Sequence, residues 1–169
     1  MKRLPLFLLI LLVVACSSID CPVENTVATH YYIYNSDGTA LTLTDTLTVR
    51  SVRNDGKNVI LYRSDSVVYN RGVDIQDFQI PISYSHPEDI LFFNFFNASK
   101  DSLFVIDTVW VKKEDIPHFE SVDCNASFFH RLTDVRHTRH YIDSIVISNP
   151  SVDYDQTTEH FRLYPKTSK

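Results

Sequence analysis

Thr39-Ala40-Leu41-Thr42-Leu43-Thr44-Asp45-Thr46-Leu47-Thr48-Val49-Arg50 decides the fold class. Leu41, Leu43, Leu47 and Val49 share alternate positions with Asp45, and Thr42, Thr44, Thr46 and Thr48 fall between them. Successive side chains of a strand point to opposite faces. This period of two therefore predicts a half-buried strand, aliphatic inward and threonine outward. Upstream, Asn35-Ser36-Asp37-Gly38 has the chemistry of a hairpin turn, and Thr26 to Tyr34 alternates as a preceding strand. Downstream, Asn54-Asp55-Gly56 marks the next turn.

The same rhythm continues outward from this stretch. Val59 to Tyr69 reads as a strand interrupted near Ser64-Asp65-Ser66. Asp77 to Ser83 sets Phe78, Ile80 and Ile82 on one face, and Pro81, which has no N–H for a ladder, assigns it to a sheet edge or a bulge. Asp89 to Asn97 and Ser102 to Lys112 are apolar on both faces, as expected of central strands between two layers. Pro117 to Cys124 is irregular, Ser127 to Arg136, His140 to Ser148 and His160 to Tyr164 are further strands, and Ser151 to Glu159 suits a short helical turn. No stretch keeps a helical period over three turns. About nine closely spaced strands predict an all-β domain, either an antiparallel sandwich of the immunoglobulin or fibronectin kind or an open barrel. With neither repeat nor linker, residues 26–169 form one domain.

The N-terminus reads differently. Met1-Lys2-Arg3 is basic, Leu4 to Ala15 is apolar apart from the imino ring of Pro5, and Val13-Val14-Ala15-Cys16 ends the run. Twelve residues are too few for a membrane span, which needs about 20. Residues 1–15 are therefore expected to be a signal peptide. The last four residues resemble the bacterial lipobox, which implies a diacylglyceryl, N-acylated Cys16 followed by a short tether over residues 16–25. Two acyl chains anchor a protein stably. Loss of Lys2 and Arg3 takes the formal charge from -5 to -7. So acidic a domain is poorly suited to nucleic acid and repels anionic headgroups.

With Cys16 lipidated, Cys21 and Cys124 remain as a pair in an oxidising compartment, where a disulfide is expected. Closing a loop of that length contributes about 4.7 kcal/mol in the chain-entropy model. The competing reading makes Cys124 a nucleophile. Five of the seven histidines, His118, His130, His137, His140 and His160, follow residue 117 together with Glu120 and Asp123. Zinc or copper needs two to four such ligands converging. His137 and His140 are interleaved with Arg136 and Arg139, whose charge disfavours a metal ion. Solvent-facing histidines at strand ends are the preferred explanation, so no metal and no cofactor is expected beyond the lipid.

Asp153 to Glu159 departs from a calcium loop, because Thr158 stands where glycine is required. No Gly-x-Ser-x-Gly elbow is present. Aromatics such as Tyr31, Tyr32, Tyr34, Trp110, Tyr141 and Tyr154 offer a stacking platform for sugars or a protein, with core packing as the simpler account. The triplets Asp45-Thr46-Leu47, Asp65-Ser66-Val67, Asp101-Ser102-Leu103, Asp107-Thr108-Val109 and Asp143-Ser144-Ile145 resemble O-glycosylation acceptors of exported Bacteroidetes proteins. The resemblance makes Thr46, Ser66, Ser102, Thr108 and Ser144 candidate acceptors.

His118-Phe119-Glu120-Ser121-Val122-Asp123-Cys124, Ser127-Phe128-Phe129-His130, Ile142 to Ile147, Val152-Asp153-Tyr154-Asp155 and Glu159-His160-Phe161 together resemble a family of small Bacteroidetes lipoproteins of unknown function. The resemblance implies a Gram-negative outer-membrane lipoprotein, on the periplasmic face or the cell surface, and carries over no functional residue. The functional expectation is a non-catalytic β-sandwich binding or scaffolding an envelope protein or glycan near the membrane. A metal-dependent or thiol enzyme is the alternative, and a carbohydrate-binding module the third reading.

Overall fold

The computed structural model describes residues 27–51, 67–97, 103–119, 121, 124 and 127–166. Their strands are β1 (Ala28–Ile33), β2 (Thr46–Ser51), β3 (Val67–Gly72), β4 (Asp77–Pro81), β5 (Glu88–Asn97), β6 (Leu103–His118), β7 (Ser127–His137), β8 (Ile142–Ile147), β9 (Ser151–Val152) and β10 (Phe161–Pro165). They form a four-stranded sheet ordered β4-β1-β10-β8 and a six-stranded sheet ordered β3-β2-β5-β6-β7-β9. The domain is all-β, as the alternation predicted, and the two sheets share one hydrophobic core.

Aromatic packing joins the layers. Tyr31 on β1 lies opposite Phe78 on β4 and Phe161 on β10 in the ladder. Its ring stacks on both, at 5.0 and 4.6 Å between centroids. Phe93 of β5 comes from the other sheet and meets Tyr31 edge-on at 5.7 Å. Offset stacks and edge contacts of this kind add about 0.5–1.5 kcal/mol each to what burial contributes.

Three expectations are corrected. The chain is not purely antiparallel, because β1 pairs in parallel with β10. That places β1 between two neighbours and buries both its faces, Ala28 to Tyr31 included. Second, Thr39 to Arg50 is not one strand. Ala40 bridges Tyr34 and Leu43 bridges Ile75, and only Thr46 onward joins the β5 ladder. At the changeover the Asp45 carboxylate accepts hydrogen bonds from the Tyr141 hydroxyl (2.7 Å) and from Asn97 Nδ2, which lets a charge lie on the aliphatic side. Third, Ser151 to Glu159 forms β9 followed by side-chain-directed turns in place of a helical turn. Asp153 and Asp155 accept the amides of Asp155 and Thr157, a local bond that competes with helix. Pro81 does fall on an edge strand, β4. The proposed strand segment 59–66 and the turns at 54–56 and 98–101 lie outside the described residues.

Candidate functional site

Strand parity sorts the six-stranded sheet into two faces. Leu91, Phe93 and Phe95 of β5 and Val109 and Val111 of β6 point into the core. The alternate residues point away. Across the β5–β6 ladder Phe96 lies opposite Phe104, Asn94 opposite Ile106, Phe92 opposite Thr108 and Ile90 opposite Trp110. Phe96 and Phe104 are 37% and 51% exposed, whereas Ile90, Phe92, Ile106 and Trp110 are half-buried. None of these six apolar side chains belongs to the core cluster or packs on it. Polar groups edge the stripe. Thr46, Thr48 and Arg50 of β2 pair with Phe96, Asn94 and Phe92, and Arg136 of β7 pairs with Trp110 and lies 5.4 Å over its ring. Arg136 also donates to Glu88 at 2.7 Å. An apolar centre rimmed by hydrogen-bonding groups is the anatomy of a protein interface.

The inward parity also carries charges, and each is engaged. Asp107 is fully buried and accepts from the backbone amides of His140, Tyr141 and Ile142 and from the Thr138 hydroxyl, at 2.7–2.8 Å. Burial pushes its carboxyl up. The bonds from Ile142, Thr138, His140 and Tyr141 outweigh burial and leave it below the usual carboxylate range. It clasps the β7–β8 turn to β6. The Lys113 side chain is also out of solvent, 3.1 Å from Asp89 and donating to the His86 carbonyl at 2.6 Å. The same Asp89 accepts the Ser83 amide, on the wall of a groove of about 740 Å³ lined by Val68, Ile82 and His86.

Two histidines are buried where solvent-facing positions were expected. His130 pairs through Nδ1 with Asp115 at 2.7 Å, and burial lowers its basicity against the pull of that carboxylate. His160 has no exposed surface, accepts the His30 amide at Nδ1 (3.0 Å) and meets the Ser151 carbonyl from Nε2 (3.1 Å). One nitrogen accepts and the other donates, so the ring is neutral with its proton on Nε2. Burial lowers its affinity for a second proton.

The other predicted residues are scattered. His118 stacks on Phe129 at 4.1 Å, the His137 ring bonds the Thr138 carbonyl, and His140 is exposed. Along β7 the register positions opposite His118 and at His137 are ten residues, or about 33 Å, apart. Among the described residues no three His, Cys, Asp or Glu side chains converge on a metal position. Cys124 is half-buried, its amide bonded to the Ser121 carbonyl at 3.2 Å. Thr46 and Thr108 lie half-buried on the outer sheet face, and Ser144 is half-buried on β8. Cys16, Cys21, Ser66 and Ser102 lie outside the described residues. Of the aromatics, Tyr31 is core, Tyr141 stacks on Phe95 at 3.9 Å, and Tyr154 meets His118 edge-on. The calcium-loop carboxylates are occupied, Asp155 by Thr157 and Thr158 and Glu159 by Tyr34 and Arg162.

Sequence reasoning missed Asp107, Lys113, Asp89 and His160 as structural anchors. The available signal was parity. Asp107 and Lys113 share the positions of Val109 and Val111, and Asp89 shares those of Leu91 and Phe93, so each is a charge in an inward slot. No curated protein and no solved structure matches the chain. A family model does match residues 57–165, most of the two sheets just described. The chain belongs to the family of unknown function DUF6452.

Proposed function

We propose that the protein is a non-catalytic lipoprotein of a Bacteroidetes-type outer membrane, held by lipid on Cys16, whose sandwich binds or scaffolds another envelope component close to the bilayer. The anchor rests on the basic start, the short apolar run and the lipobox resemblance at Val13 to Cys16. Binding rests on the outer face of the six-stranded sheet, where Ile90, Phe92, Phe96, Phe104, Ile106 and Trp110 form a rimmed apolar stripe facing away from the core. Exposed apolar patches of this kind mark interaction surfaces. The buried ionisable groups favour binding over catalysis, since Asp107, Lys113, His130 and His160 each spend their hydrogen bonds inside the fold.

A Cys21–Cys124 bridge belongs to the same reading. It is supported by the pairing expected of two cysteines outside the cytosol. A glycan on Thr108 would lie opposite Phe92, between the Ile106 and Trp110 rows, and compete with docking there. Modification and partner binding would therefore exclude one another at that residue.

The test is site-specific photo-crosslinking of the full-length, lipidated protein in native membranes. A probe at Phe104 is expected to give a discrete adduct that Trp110→Glu abolishes without changing the melting temperature. The same probe at Val146, exposed on the other sheet, is expected to give none. Equal adducts from both positions, or none from Phe104, would overturn the binding surface.

A further inference from the structure

The β6–β7 ribbon ends in a second aromatic cluster, remote from the first. Phe104 and His118 are fourteen residues apart on β6, about 46 Å of strand. At the far end Tyr84, 68% exposed, stacks on Phe128 at 5.4 Å and nearly parallel. Phe119 is 70% exposed and Ile116 47% exposed. On the opposite side of the ribbon Phe129 packs against His118 and Tyr154. Apolar side chains thus project from both faces of one ribbon end. A protein groove engages one face of a strand. A medium that surrounds the end accommodates both.

The bridge proposed for Cys124 joins this end to Cys21, five residues and about 17 Å at full extension from the acylated Cys16. We infer that the Tyr84–Phe119–Phe128 end docks into the interfacial layer of the bilayer that holds the lipid, an inference that rests on the anchor and bridge readings above. Phenyl and phenol rings suit the headgroup boundary, with the ring among the upper chain segments and the Tyr84 hydroxyl in water. The acidic charge of the mature domain selects a zwitterionic, phosphatidylethanolamine-rich surface over an anionic one. Docked this way, the Phe96–Phe104 stripe stands at the opposite end, clear of the membrane and open to a partner.

The experiment uses the acylated protein reconstituted into phosphatidylethanolamine vesicles containing a headgroup-level spin-labelled lipid. A Trp110→Phe background receives a single tryptophan through Tyr84→Trp, Phe119→Trp or Phe104→Trp. Flotation of the vesicles reports the anchor, and loss of tryptophan emission reports contact with the label. The expected result is co-flotation with emission lost from Tyr84→Trp and Phe119→Trp and retained by Phe104→Trp. Because Tyr84 is mostly exposed, Tyr84→Trp decides the matter if Phe119→Trp fails to fold. Co-flotation with full emission from both end positions overturns the docking and leaves the anchor standing. Failure to float overturns the anchor and the docking with it. Loss of emission from Phe104→Trp instead shows that the opposite end faces the lipid, and also overturns the inference.

Discussion

The His160 ring accepts the His30 amide proton at Nδ1 and donates from Nε2 to Ser151, so a second ring proton breaks the first of these bonds. Its folded pKa lies below the ordinary value near 6.5, so the unfolded chain binds the proton more readily. The stabilisation is therefore complete above pH 6.5 and is lost as the pH falls from there through the folded value. Stability should drop by up to about 1.4 kcal/mol per pH unit in that window. Urea melts of wild type and His160→Gln between pH 7.5 and 5 check this, with a flatter pH dependence expected for the variant. Asp107 acts at lower pH with its own sign. Its folded pKa is depressed, so its contribution is full above about pH 4 and lost as the carboxyl protonates below that. Asp107→Ala leaves the amides of His140, Tyr141 and Ile142, the last of them buried, without their acceptor and should cost about 3 kcal/mol. Asp143→Asn, at the same place in the same kind of triplet but exposed and paired with Arg139, should cost under about 0.5 kcal/mol. Equal costs in equilibrium urea unfolding would show that the burial of Asp107 does not set its role.

β6 is a central strand only over Val109 to Lys112, with β5 alone beside Leu103 to Thr108 and a ribbon with β7 along the rest. Its pairing with β5 stops at Lys112, beyond which only β7 accompanies it, with β9 touching β7 at His130 and Arg131. Ladders flanked on both sides open only on global unfolding, while two-stranded ribbons open locally. Amide exchange should therefore be slowest in Leu91 to Phe95 and Val109 to Val111, which have strands on both sides, and orders of magnitude faster in Ile116, His118, Phe128 and Phe129. Uniform protection along β6 would contradict this. Much of this was legible in the sequence. Alternation located the strands, Pro81 announced an edge, and the apolar character of residues 92–96 and 103–111 anticipated the core, but their second apolar face was read as covered by another layer, whereas Phe96 and Phe104 are exposed on it. Pairing was not legible, because parity says which face a residue takes and nothing about which strand lies beside it. β1 and β10 are 130 residues apart in register, and no local signal connects Tyr31 to Phe161. Thr39 to Arg50 misled for a related reason. Its period of two persists while its partners change from the β1 end to β5. The histidines were legible as residues and illegible as roles, since the burial of His130 and His160 depends on that same pairing.

For the whole molecule, the link between sheets runs through the aromatic cluster of Tyr31, Phe78, Phe93 and Phe161, which draws on four strands of both layers. Phe93→Ala should cost about 3–5 kcal/mol and lower the denaturant midpoint without changing the slope, since a single transition loses one shared core. Two separated transitions would mean that the layers unfold independently. A chain ending at Glu159 lacks β10, the strand on which β1 and β8 both pair. It should show no cooperative melt of the four-stranded sheet by near-ultraviolet circular dichroism. The parallel pairing of first strand with last also bears on the order of manufacture. A polypeptide emerging N-terminus first presents Tyr31 long before Phe161 exists. β5, β6 and β7 pair with their sequence neighbours and can close as they arrive, so the larger sheet precedes the smaller one. Until β10 is delivered, β1 and β8 lack the strand that joins them, and the smaller layer stays open.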